Sequence, residues 1–233
     1  MNSLFVLVGA MFFTLNMAGQ ASIRCYNRGN KMADKKEYQK AIRLYSRAIK
    51  LDHFFSEAYY NRGLAKSKMK DYPGAIQDFT KSIQIEPRFA YAYNNRGADK
   101  KEMNDFEGAI KDYTKAIELD TAYAKAYFNR GLVRFLTGEY SSSMTDFTKA
   151  LREAPDMKDA WYNRGITKIK TGDYAGAIFD FSKVIELDSG MAKAYINRGV
   201  ARIILKNREE GLKDIDRAKG LGYSIRLVEI EKD

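Results

Sequence analysis

The chain is poor in the residues that most often carry chemistry. Among its 233 residues there is one cysteine, Cys25, one histidine, His53, one tryptophan and three prolines. A single cysteine excludes an intrachain disulfide. His53 has no second ligand at matching spacing, which argues against a histidine-based metal site, and no nucleophile–histidine–acid set can form except through this one residue. No glycine-rich loop of the kind that cradles phosphate occurs. No cofactor is expected, and the chain reads as non-enzymatic. The scarcity of proline leaves long stretches open to helix. What is present is 45% hydrophobic and 30% charged residues, with a net charge of +10. Such a balance points to nucleic acid or an anionic membrane, and it equally suits a solvated, lysine-rich helical surface.

Charge is also missing from residues 1 to 23, where no side chain is ionisable at neutral pH. Leu4 to Leu15 is an apolar run, shorter than the roughly 20 residues of a membrane span and close to the length of a signal-peptide core. Gly19-Gln20-Ala21 offers small residues for a cut before Ser22. Residues 1–21 are therefore expected to be a signal peptide or an N-terminal anchor. The alternative is an apolar N-terminal cap, because no Lys or Arg precedes the run. Arg24 disfavours a lipoprotein cut before Cys25. A signal or anchor would make the protein secreted, periplasmic or membrane-associated, and the membrane would be met only through this segment. Otherwise the protein is cytoplasmic.

The rest of the chain is periodic. Asn-Arg-Gly occurs at Asn27-Arg28-Gly29 and returns at Asn61, Asn95, Asn129, Asn163 and Asn197, each step 34 residues. A fixed period of this length marks a stacked helical repeat. Six units follow: 22–55, 56–89, 90–123, 124–157, 158–191 and 192–225. Each opens with an amphipathic helix A. An aromatic or apolar residue lies four before the glycine (Cys25, Tyr59, Tyr93, Tyr127, Trp161, Tyr195). A turn follows, with Asn104, Gly138 or Gly172 and then an acidic residue. Helix B repeats small, large, small, as in Ala75, Phe79, Ser82 and Ala109, Tyr113, Ala116, building one apolar stripe. The sixth unit drifts, with Arg208 in place of the turn aromatic, as terminal repeats do. Residues 225–230 read as a short capping helix, with 226–233 closing the chain.

These residues resemble the tetratricopeptide repeat (TPR) family over residues 22 to about 223. The resemblance implies an all-α solenoid, a right-handed superhelix of six helix-turn-helix units whose concave face is lined by helix A. One departure is the arginine before the glycine, where the family often has leucine.

Five of those arginines are matched 16 residues on by an aspartate: Arg62 with Asp78, Arg96 with Asp112, Arg130 with Asp146, Arg164 with Asp180, and Arg198 with Asp214. A planar fork suits a carboxylate, and a structural lattice pairing each arginine with a neighbouring helix B is expected. In the first unit Arg28 faces Leu44. The asparagines differ. Asn is a mediocre helix former, and six in register need another reason. By resemblance to TPR superhelices with an asparagine ladder, Asn27, Asn61, Asn95, Asn129, Asn163 and Asn197 would grip the backbone of an extended peptide, with Tyr60, Phe128 and Tyr162 beside them. An amide offers donor and acceptor together, so it can pair with peptide groups of any sequence. Bridging between neighbouring helices is the alternative. The TPR clamp for terminal carboxylates would use Tyr26, Asn30, Asn61, Tyr91 and Asn95, where both asparagines match but the three basic residues are missing.

The helix A slots also change along the chain. Ala33-Asp34, Ser67-Lys68 and Lys101-Glu102 give way to Phe135-Leu136, Ile169-Lys170 and Ile203-Ile204. Repeats 4 to 6 are expected to hold a partner's apolar side chains, unless Phe135, Ile169 and Ile203 are inter-repeat core. The leading expectation is a scaffold for a protein or peptide partner. A rigid spacer and a basic RNA-binding repeat are the rivals, and the Arg–Asp matching argues against nucleic acid.

Overall fold

The computed structural model describes residues 19–223, and among them every regular element is a helix. Helix α1 runs through residues 19–34. It is followed by α2 (Tyr38–Leu51), α3 (Ser56–Lys68), α4 (Tyr72–Ile85), α5 (Ala90–Glu102), α6 (Phe106–Leu119), α7 (Ala124–Leu136), α8 (Tyr140–Glu153), α9 (Lys158–Lys170), α10 (Tyr174–Leu187), α11 (Ala192–Ile204) and α12 (Arg208–Gly220). Odd-numbered helices are helix A of a repeat and even-numbered ones helix B. The chain forms two compact units, one ending at Thr121 and the other beginning at Ala122. The first contains α1–α6 and the second α7–α12. Within each, a helix packs on its partner in the same repeat and on the next repeat's helix A. The architecture is the all-α stack of helix pairs that the period implies.

The short capping helix expected at 225–230 lies outside the described residues, as does most of the N-terminal segment. Residues 19–21 belong to α1, so a cut before Ser22 would fall inside that helix. Ser22 is buried, and its hydroxyl donates to the Ala48 carbonyl at 3.2 Å.

Two local devices set the repeat. The first is the turn between helix A and helix B. It places one residue per repeat in the left-handed region: Lys36, Lys70, Asn104 and Lys206 at φ near +60°, and Gly138 and Gly172 at +81°. The next residue is the N-cap of helix B. Where it is aspartate, as in Asp71, Asp105 and Asp173, the carboxylate accepts from the N–H three residues on at 2.9–3.1 Å. Glu37 and Glu139 make no such cap, since the longer side chain overshoots the helix end.

The second device is the glycine of the tripeptide. A Cβ at Gly63 would lie 2.8 Å from the Phe79 ring, and one at Gly165 2.8 Å from Phe181. The missing side chain thus lets the large helix B residue press onto helix A. Tyr45, Phe79, Tyr113, Phe147 and Phe181 are all fully buried in this way. Each contributes roughly 2–3 kcal/mol of apolar burial. In the last repeat, Ile215 replaces the aromatic and the helices close further, with a Gly199 Cβ position only 2.7 Å from the Gly211 carbonyl oxygen.

Candidate peptide-binding face

Two sets of polar residues project from helix A, and they behave differently. Five of the six tripeptide arginines are fully engaged. Arg62 Nε and Nη2 donate to the two carboxylate oxygens of Asp78 at 2.8 and 2.7 Å. The same fork holds Arg96 to Asp112, Arg130 to Asp146, Arg164 to Asp180 and Arg198 to Asp214. Each aspartate sits on helix B of the arginine's own repeat. The remaining nitrogen crosses to the preceding one: Nη1 of Arg62, Arg96, Arg164 and Arg198 donates to Ser46, Thr80, Thr148 and Ser182 respectively. The lattice therefore ties repeats together through hydroxyls and ties the helices of each repeat together through the ion pair.

Sequence reasoning missed two further parts of this cluster. A second cation, four residues after each arginine, also reaches the aspartate: Lys66, Lys100, Arg134, Lys168 and Arg202, at 2.7–2.9 Å. Each arginine also stacks on the aromatic three residues before it, Tyr59, Tyr93, Tyr127, Trp161 or Tyr195, at 4.7–5.8 Å from the ring centroid. The first repeat lacks all three partners together, with Cys25, Met32 and Leu44 in the slots of the aromatic, the second cation and the acid. The loss of one member removes the reason for the others.

The asparagines lie one position from the arginines, on the adjoining stripe of helix A. Asn61 Nδ2 donates to the Tyr26 hydroxyl at 2.9 Å, Asn95 to Tyr60 at 2.8 Å and Asn197 to Tyr162 at 3.0 Å. In each case the tyrosine stands 35 residues earlier, on helix A of the preceding repeat. The sequence places Tyr60 and Tyr162 among the expected partner-contacting residues. Their hydroxyls face these amides, and burial raises both phenol pKa values against the lowering effect of the amide hydrogen bond. Asn163 follows Phe128, which has no hydroxyl, and its Nδ2 donates instead to the Asp159 carbonyl of its own helix at 2.7 Å. Asn129 is half-buried on α7, and Asn27 is exposed on α1. The 35-residue Tyr-to-Asn spacing was present in the sequence as the signal for this bridge.

In the first unit a hollow of about 550 Å³ opens beside these groups, lined by Asn30, Asp34, Tyr38, Asn61, Leu64 and Lys68 among others. Tyr45 and Asn61 both donate to Asn30 Oδ1, at 2.8 and 3.1 Å. Its rim carries opposite charges, Asp34 and Lys68. With Tyr26 and Tyr91 in two of the basic slots, the site lacks the cations of a carboxylate clamp. Close by, Asp99 is 2% exposed. Ser67 donates to its Oδ1 at 2.6 Å, while Oδ2 has no partner. Burial pushes its pKa up to about 6, against the lowering effect of Ser67.

In the second unit the slots corresponding to Asp34 and Lys68 hold Leu136, Lys170 and Ile204, apolar in two of three repeats. Leu136, Val200 and Ile204 are each 43–60% exposed. Phe135 and Ile203 point inward instead: the Phe135 ring lies 5.6 Å from Tyr140, and Ile203 packs on Gly211. Both are half-buried, and these contacts lie within their own repeats rather than in an inter-repeat core. The exposed apolar row is the shorter set Leu136, Val200 and Ile204.

The repeat geometry defines a class, and the comparisons agree with it. TPR profiles described as "TPR repeat" match residues 29–70 and 100–138, and those described as "Tetratricopeptide repeat" match 56–89, 124–157 and 158–190. The chain belongs to the tetratricopeptide repeat family, a fold that serves as a protein–protein interaction scaffold. None of the curated proteins matches it in sequence. Among solved structures it is similar to MamA, with 25% identity, a TM-score of 0.66, and coverage of 69% of this chain and 94% of the other. It is also similar to YrrB, described as a TPR protein with an unusual peptide-binding site, at 21% identity, a TM-score of 0.67, and coverage of 76% and 91%. PilF of Pseudomonas aeruginosa shares the fold at 17% identity, with a TM-score of 0.76 and coverage of 88% and 93%.

Proposed function

We infer that the protein is a non-enzymatic adaptor that holds an extended peptide, or a partner helix, along the helix A face through its asparagine row. The observation that carries this reading is the state of the amides. They stand in one slot of every repeat, half-buried in five and exposed in the first. Asn95 and Asn197 bond across repeats and Asn163 within its own helix, each through Nδ2, so Oδ1 of all three remains an acceptor for a peptide N–H. The exposed Leu136, Val200 and Ile204 supply apolar contact beside them, where buried anchors dominate affinity. YrrB, a peptide-binding TPR protein by its description, is consistent with such a face.

The test is selection of peptides from a random display library on the intact protein. Selected peptides are then titrated against the wild type and against an Asn95→Ala/Asn163→Ala variant. Loss of binding with retained helicity supports the reading. Peptides that bind both proteins equally contradict it and leave a rigid spacer as the better account.

A further inference from the structure

We propose that the first repeat is a docking surface for an anionic phospholipid bilayer, distinct from the asparagine stripe of helix A described above. Residues 22–55 contain nine cationic and three acidic side chains, a net of +6 out of +10 for the whole chain. All nine cations are exposed. Their order is helical. Arg24, Arg28 and Lys31 fall at steps of four and three on α1, with Lys35 four further on in the turn that follows, and Arg43, Arg47 and Lys50 at steps of four and three on α2. Each set is one stripe. Among the described residues none of these seven forms an ion pair, in contrast to the tripeptide arginines Arg62, Arg96, Arg130, Arg164 and Arg198, each bound to an aspartate.

The α1 stripe occupies a face that inner repeats bury. The counterparts of Arg24 and Lys31 one repeat on are Ala58 and Ala65, at 0% and 2% exposure, and the counterpart of Arg28 is the lattice arginine Arg62. In the first repeat the small packing residues are replaced by cations, and the carboxylate that would neutralise Arg28 is Leu44. Hydration alone would be served by mixed charge, as on α6, where Lys111 pairs with Glu107 and Lys115 with Glu118. A single-sign field calls for a polyanion.

A bilayer fits better than a nucleic acid for two reasons. The 21 residues ahead of this repeat carry no charged side chain. The Ser22–Ala48 hydrogen bond holds the start of α1 against the end of α2, so Ile23, Leu51 and Phe54 emerge at the same end of the repeat. They are 52%, 39% and 81% exposed. Cations along a face with apolar side chains at one end match the headgroup and acyl layers of a membrane surface.

The experiment is flotation of the full chain with vesicles of phosphatidylcholine alone, and of phosphatidylcholine mixed with phosphatidylglycerol. Each cation near an anionic surface strengthens partition about fivefold. Arg43→Gln/Arg47→Gln/Lys50→Gln should therefore weaken binding to the anionic vesicles about a hundredfold, and so should Arg24→Gln/Arg28→Gln/Lys31→Gln. Lys111→Gln/Lys115→Gln should leave it within about twofold. Circular dichroism of each variant, with an unchanged melting curve, shows that the effect is on binding. Equal flotation with neutral and anionic vesicles, or anionic binding that both triple variants retain, overturns the proposal. So does a single-stranded RNA that binds the same face and is not displaced by anionic vesicles.

Discussion

Asn163 donates its amide to the Asp159 carbonyl at 2.7 Å because Phe128, in the slot that receives the amide elsewhere, has no hydroxyl. Asn61, Asn95 and Asn197 follow tyrosines 35 residues earlier and reach across to them. Phe128 is otherwise placed as those tyrosines are: its ring lies 5.8 Å from Phe147, as Tyr60 lies 5.8 Å from Phe79 and Tyr162 5.8 Å from Phe181. Phe128→Tyr should therefore complete the bridge between repeats 4 and 5. The gain is about 1 kcal/mol, the usual net worth of one hydrogen bond. Tyr162→Phe should lose a similar amount. Urea denaturation of both variants measures it, and equal midpoints for Phe128→Tyr and wild type would count against the bridge as a stabilising contact.

The arginines of the tripeptide should not be equal. Arg62 has a carboxylate, a hydroxyl and an aromatic ring as partners, whereas Arg28 is exposed and faces Leu44 and Cys25 in the corresponding slots. Arg62→Ala leaves the buried Asp78 with Lys66 as its sole cation, and should cost about 2–3 kcal/mol. Arg28→Ala should change stability by less than about 0.5 kcal/mol. Thermal unfolding of the pair checks the contrast. Equal costs would mean that the arginine acts through helix propensity or shape rather than through the ion pair.

Asp99 should make stability depend on pH in an unusual direction. Its carboxyl is buried beside Ser67, with a pKa raised from 3.8 to about 6. The folded state then holds the proton more tightly than the unfolded state. The stabilisation from this group is complete below the unfolded value and is lost as pH rises through the folded one. In the other inner repeats this slot holds Ala65, Val133, Thr167 and Ala201, none of them ionisable, and in the first repeat it holds the exposed Lys31. Asp99→Ala should thus stabilise the protein by about 1–3 kcal/mol near neutral pH, with the difference vanishing by about pH 4. Denaturation midpoints over that pH range measure it. A constant difference at all pH values would assign the effect to packing.

Much of this was legible in the sequence because the repeat states each slot six times. The period gave the helix pairs, and the small–large–small series of helix B gave the buried aromatics. The Arg62–Asp78 spacing pointed to a pairing, although not to the hydroxyl of the preceding repeat. Three things stayed hidden for physical reasons. Lys36, Lys70 and Lys206 take the left-handed turn position that Asn104, Gly138 and Gly172 signal openly, because tertiary packing imposes the turn whatever the local preference. Lys66 and its counterparts look like solvated cations, and only the fold brings them to the aspartate. The tyrosine hydroxyls act one repeat away from where they are encoded, so comparison within a repeat does not reveal them.

The central claim is that the asparagine row binds peptide, and Asn163 is the position at which binding and stacking separate. Asn163 donates within its own helix, so Asn163→Ala should change stability by less than about 0.5 kcal/mol. Titration of a display-selected peptide against Asn163→Ala and wild type is the direct measurement. The expected result is a loss of affinity of about tenfold, one peptide hydrogen bond at a half-buried amide, with the melting curve unchanged. An affinity equal to that of the wild type would contradict the account and leave the asparagines as ties between helices.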